Sequence, residues 1–226
     1  MNPLDRPVWA ALTHSPHLAE GAELAKRFRR DVNLFASARD DSLASLAALR
    51  GLVLDDESIF VVQVHPVHVP QGLVAARIVQ GVQMLATRPI APQAGEGAFV
   101  ELGDADAPEM LALAQLTKPG PFLPRTHTMG RFVGMRSDGR LAAMAGERMR
   151  FPGFTEVSGV CTHPDFRGRG WARMLSSVIA HAIQQLGEQP FLHAWASNHT
   201  AIALYESLGF ELRTAVQVAV LSTPRK

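Results

Sequence analysis

From Trp171 the apolar positions run 171, 174, 175, 178, 179, 182, 183 and 186, and the residues between them are mostly polar or small. That spacing puts one apolar stripe on one side of a helix, and Gly187 stands where such a helix ends. Just before it, Thr155 to Thr162 is small, β-branched or apolar and predicts a buried strand that Pro164 closes. Phe191 to Ala196 predicts the next strand. Asn198 is placed to cap a second helix, and Gly209 with Phe210 to end it. In Glu211 to Leu221, Leu212, Val216, Val218 and Val220 share one face. Upstream, Arg131 to Met135 and Arg140 to Arg148 flank Asp138-Gly139 and predict a hairpin. Ala98 to Leu102 predicts a strand and Ala107 to Thr117 a helix, followed by the proline-rich loop 118–124.

The first part of the chain is less regular. Met1 to Leu18 is rich in Pro and His and predicts no regular element. Glu20 to Arg30 predicts a helix whose C-terminal end carries Lys26, Arg27, Arg29 and Arg30. Asp41 to Leu49 predicts a short helix, Ser58 to Val64 a strand, and Leu73 to Leu85 one or two more. Pro89 to Gly97, with two prolines and two glycines, predicts a linker. The expected organisation is an α/β region at 1–93, of unknown role, and a second domain at 97–226.

Composition narrows the class. Hydrophobic residues make up 47% of the 226 and charged residues 19%, which suits a globular protein with a sizeable core. The net charge of +1 argues against a nucleic-acid partner. Cys161 is the single cysteine, which excludes an internal disulfide and fits a reducing compartment. No apolar run reaches the length of a membrane span and the N-terminus has no signal-peptide core, so the expected location is cytoplasmic, with no membrane partner. His14, His17, His65 and His68 form two H-x-x-H pairs without companion carboxylates or thiolates, and no metal is expected.

The chemistry concentrates between strand and helix, at Arg167-Gly168-Arg169-Gly170-Trp171-Ala172. A glycine turn that opens a helix offers unpaired N–H groups and a positive dipole end, and two arginines add fixed charge. This is a phosphate cradle in the making, although an isolated turn of this kind also reads as a plain surface loop. Two segments together resemble the GNAT acyltransferase superfamily. Arg167 to Ala172 matches its [QR]-x-x-G-x-[GA] signature, and Asn198-His199-Thr200-Ala201-Ile202-Ala203-Leu204-Tyr205 through Gly209-Phe210 looks like its second fingerprint. The resemblance covers about Gly97 to Leu221.

That resemblance implies an α/β (α+β) GNAT-like fold: a mixed, mostly antiparallel sheet flanked by helices, here preceded by a smaller α/β N-terminal half. By analogy that half is a degenerate unit of similar topology. It implies transfer of an acyl group, acetyl above all, from acetyl-CoA to a small-molecule or peptide amine by direct attack, and no metal. Carried over by position, Val160, Cys161 and Thr162 line the pantetheine arm and Asn198 reaches it. Arg167, Gly168, Arg169, Gly170, Trp171 and Ala172 hold the pyrophosphate. Tyr205 stands at the family's acid position; a phenol is protonated at pH 7 and can donate. Glu156, eleven residues before Arg167, resembles the glutamate base of the histone acetyltransferase branch and calls for a raised pKa. Its alternative role is a salt bridge to Arg148 or Arg150. Glu147 and His163 are weaker candidates for the base. Phe122, Leu123, Arg125, Thr126 and His127 are candidates for the acceptor pocket. Edge strands in such folds pair, so a homodimer is a further expectation. A catalytically silent acyl-CoA-binding or structural module stays open as the alternative function.

Overall fold

The computed structural model describes residues 2–93 and 98–224. In chain order its elements are α1 (Pro7–His14), β1 (Ala19–Gly21), β2 (Ala25–Phe28), β3 (Ala36–Ala38), α2 (Leu43–Gly51), β4 (Ser58–Gln63) and β5 (Val74–Ala86). There follow β6 (Val100–Leu102), α3 (Ala107–Thr117), β7 (Phe132–Ser137), β8 (Arg140–Phe151), β9 (Phe154–Thr162), α4 (Trp171–Gln185), β10 (Gln189–Trp195), α5 (His199–Leu208) and β11 (Phe210–Ser222).

Eight strands form one sheet in the order β4-β11-β5-β10-β9-β8-β7-β6, and β1-β2-β3 form a small second sheet. All neighbours in the large sheet are antiparallel except β9 and β10. The mixed, mostly antiparallel sheet with flanking helices is the architecture the motifs implied. The regions 1–93 and 97–226 share it: β5 lies hydrogen-bonded between β10 and β11, and β4 closes the edge beyond β11. Residues 94–97 of the expected linker and residues 225–226 of the tail lie outside the described residues.

Each face of the sheet has its own core. On one side the stripe of α4 is sealed: Leu175, Ile179 and Ile183 are fully buried against Val133, Ala143, Val157 and Leu192. Each such side chain contributes roughly 1.5–3 kcal/mol. On the other side α1 packs Val8, Ala11 and Leu12 against Met149, Phe151, Phe191 and Val216. Alternation along β10 sends Phe191 to this core and Leu192 to the α4 core.

Two N-terminal expectations are corrected. The segment up to Leu18 is not irregular: Pro7 sits in the first turn of α1, where its missing N–H costs nothing, and 8, 11 and 12 form the buried face. Glu20 to Arg30 is not a helix but the β1–β2 hairpin, turned at Gly21 with φ 104°. Arg27 is not a solvated helix-end cation. It is 1% exposed and bonded to Glu57 at 2.8 Å and to the Leu52 carbonyl at 3.0 Å. Leu73 to Leu85 resolves into the single long strand β5.

Candidate active site

The site begins where two parallel strands part. β9 and β10 pair only at Gln189–Phe154, Pro190–Thr155 and Phe191–Glu156. Beyond those residues β9 runs on to Thr162 and β10 to Trp195 without pairing to each other, each still paired to its outer neighbour. A cavity of about 550 Å³ fills the opening. Its walls include Val160, Cys161 and Thr162 from β9, Ala194 and Trp195 from β10, and Asn198 and Tyr205 from α5.

One mouth is the turn before α4. Gly168 and Gly170 have φ of 82° and 75°, and a Cβ at either would meet nothing within 4 Å. The backbone conformation therefore demands glycine, while the space above it is open to a ligand. No side chain caps α4, so the first-turn N–H groups point outward unpaired. Arg169 stacks over Phe166 and Trp171 at 5.1 and 5.2 Å, which fixes a cation beside them. Residues 167 to 172 all line the cavity, so every position expected to bind the cofactor is gathered here. The parted strands, the uncapped helix end and the arginines suit a long ligand with a pyrophosphate at one end.

Tyr205 faces the same cavity, with its ring edge-on to Phe210 at 6.0 Å. Burial pushes its hydroxyl up to about 12, so it keeps its proton at neutral pH. Cys161 is 7% exposed, and burial raises its thiol to about 11. It is a packed thiol rather than a nucleophile.

Glu156 departs from expectation. It is fully buried behind the cavity wall. Burial alone would raise its pKa, but Arg148 and His193 outweigh that and lower it to about 2. Arg148 grips it with two bonds, Nε to Oε2 at 2.8 Å and Nη2 to Oε1 at 2.6 Å. His193 Nδ1 lies 2.7 Å from Oε1. A sealed carboxylate held this low is a poor proton acceptor, so the assignment as general base is corrected to that of a structural anion. Of the two expected partners, Arg148 makes the pair, and Arg150 turns to Glu188 at 2.8 Å.

The anion belongs to a polar chain that crosses the sheet. Gln83 Oε1 accepts from Arg213 Nη1 at 2.9 Å, so its amide nitrogen faces Leu4 O at 2.9 Å and His193 Nε2 at 3.0 Å. His193 Nε2 therefore accepts, and Nδ1 carries the hydrogen that it donates to Glu156. Arg213 closes the row on Asp5 at 2.6 Å. The row runs through β8, β9, β10, β5 and β11. Both arginines sit in register shifts, between Glu147 and Arg150 and between Leu212 and Thr214. A bulge re-aims a side chain, and here two of them place their arginines at the ends of one row.

Other candidates lie elsewhere. Glu147 is buried beside Arg131 and raised by desolvation, and His163 accepts from the Asp165 N–H; neither lines the cavity. The acceptor wall expected at 122–127 is displaced: Thr117 to Pro121 line the cavity instead. Thr126 bonds Val32 O at 2.6 Å and His127 bonds Asp104 at 2.6 Å, so both hold the loop down. Phe35, Phe60 and Val62 supply wall residues that sequence reasoning missed, and so do His193 and Trp195. The first three come from the region assigned no role. Among the described residues no group of three or more His, Cys, Asp or Glu could hold a metal, and no helix is long and apolar enough to cross a membrane.

A solved structure of a putative acetyltransferase from the GNAT family of Novosphingobium aromaticivorans matches over 100% of both chains, with 42% identity and a TM-score of 0.93. The chain belongs to the GNAT family. The profile of the FR47-like proteins matches residues 132–218, which spans β7 to β11 and so holds both GNAT motifs. The [ribosomal protein bS18]-alanine N-acetyltransferase of Salmonella typhimurium is 32% identical over 122 residues, covering 50% of this chain and 80% of that protein. A GCN5-related N-acetyltransferase from Kribbella flavida, 17% identical, covers 100% of this chain and 97% of its own with a TM-score of 0.66; it shares the GNAT fold. The Novosphingobium and Salmonella relatives make the chain a GNAT-type N-acetyltransferase; the Kribbella structure speaks to the fold alone.

Proposed function

We propose that the protein transfers acetyl from acetyl-CoA to a primary amine by direct attack. The observation that carries this reading is the single cavity wall shared by the 167–172 turn, the parted ends of β9 and β10, and Tyr205. Acetyl-CoA supplies an acetyl group already activated as a thioester. Backbone groups of Val160, Cys161 and Thr162 are free of a β10 partner and can bond the pantetheine arm as a strand would. Residues 167 to 172 hold the pyrophosphate, and Asn198, which also caps α5 through Ala201 N at 3.1 Å, borders the arm. The amine nitrogen forms the new C–N bond as the C–S bond breaks, and Tyr205 gives its proton to the departing sulfur.

No side chain is assigned as direct base, because Glu156 is sealed and paired. The acceptor attacks in its neutral form and its proton leaves through water. Release of CoA thiol, measured with acetyl-CoA and a panel of primary amines, should show turnover whose kcat/KM rises with pH as far as the pKa of the amine used. An acyl-CoA-dependent signal with no amine acetylated at any pH would favour a silent binding module instead. The bacterial relative acts on a ribosomal protein, so a protein N-terminus is one acceptor to include. A buried single thiol is consistent with a cytoplasmic setting, and no nucleic-acid partner is proposed.

A further inference from the structure

One part of the cavity lining, drawn from Phe35, β4 and β11, has a chemistry of its own. Phe35, Phe60, Val62, Val216 and Val218 make it apolar. Across the whole lining there is no Asp or Glu among the described residues. A polyamine or a lysine-rich peptide would therefore find nothing there to pair its remaining positive charges. Arg148 stands in the same lining, with Lys118 on the neighbouring loop, and its guanidinium is immobilised. Its guanidinium lies 4.7 Å over the ring of Phe35, and Glu156 takes Nε and Nη2. A guanidinium carries five N–H donors, and those two bonds leave three. Nη1 has no hydrogen-bond partner among the described residues. It points toward the loop at Gly120, 3.8 Å from where a Cβ would stand, and Gly120 lines the cavity. A fixed planar donor beside apolar walls is what binds a carboxylate with a defined orientation.

We propose that the acceptor is a small primary amine that carries a carboxylate on an apolar body, the carboxylate docking on the free edge of Arg148. This rests on the acetyl-transfer reading above and names the class of acceptor for that same site. The buried Glu156 then has a purpose as a positioning residue: it orients the guanidinium so that one edge is always turned away from it.

The experiment compares matched amines on the full chain with acetyl-CoA: L-phenylalanine, phenethylamine as the same body without the carboxylate, and spermidine as a polycation. The expected kcat/KM for phenylalanine exceeds that for phenethylamine by about 10-fold or more, the value of a charge-assisted hydrogen bond, and spermidine is the poorest. Arg148→Lys keeps a cation opposite Glu156 but loses the planar fork. It should shrink the phenylalanine-to-phenethylamine ratio about 10-fold, whereas a purely structural role would lower both rates together and leave the ratio alone. Equal use of phenylalanine and phenethylamine, a preference for spermidine, or turnover of none of the three overturns the proposal. Stabilisation by acetyl-CoA, followed by melting in the same samples, separates the two levels. If it persists, only the acceptor class has failed; if it is absent too, the acetyl-transfer reading has failed with it.

Discussion

Tyr205→Phe should lower acetyl transfer roughly 10²-fold or more, the scale of a lost general acid, while leaving acetyl-CoA binding in place. The substitution removes one oxygen. The ring, which meets Phe210 edge-on and packs on the α4 core, is kept, so folding is not at stake. With its hydroxyl pushed up to about 12, Tyr205 is fully protonated across the working pH range, and its proton is available whenever the thiolate leaves. Steady-state CoA release and thermal melting with acetyl-CoA, run on the same variant, check both halves. A variant that turns over at the wild-type rate would remove Tyr205 from the mechanism.

The second large effect concerns stability. Glu156→Ala leaves the Arg148 guanidinium in a nearly sealed position, 11% exposed, without its anion. Breaking a buried pair from one side costs about 3–5 kcal/mol, which for a chain of this size lowers Tm on the order of 10 °C. The same pair sets a pH dependence. The folded pKa of about 2 lies below the ordinary value of 4.5, so the stabilisation is complete above pH 4.5 and drains away as pH falls toward 2. Melting curves from pH 7 down to 3 should show a Tm loss in the wild type that Glu156→Ala, already lacking the pair, shows less of. Coincident acid profiles would contradict the ion pair.

What the sequence made legible were its local features. The α4 stripe, the glycine turn, the Asn198 cap and the Asp138-Gly139 hairpin each depend on neighbours a few residues apart, and each formed where periodicity placed it. Glu20 to Arg30 misled because a run ending in basic residues satisfies a helix rule. Whether Arg27 is solvated or buried depends on Glu57, thirty residues away. Glu156 misled for the same reason at the site itself. Its place on the central strand was readable, but its pKa direction is decided by Arg148 and His193, delivered by a bulge and by a neighbouring strand. The contribution of Phe35 and Phe60 to the cavity was hidden too, since Phe60 comes to the site through the pairing of β4 with the last strand, β11, and Phe35 through its bridge to Phe60.

Thermal melting with and without acetyl-CoA, on the wild type and on the Gly168→Asp/Gly170→Asp double variant, tests the central claim that the 167–172 turn holds the acyl donor. Acetyl-CoA at 100 times its Kd should stabilise the wild type by about 2.7 kcal/mol, a rise in Tm of several degrees. The variant, with two carboxylates set into the open space above the turn, should show none of it. An unchanged wild-type Tm with acetyl-CoA, or an equal rise in the variant, would contradict the account.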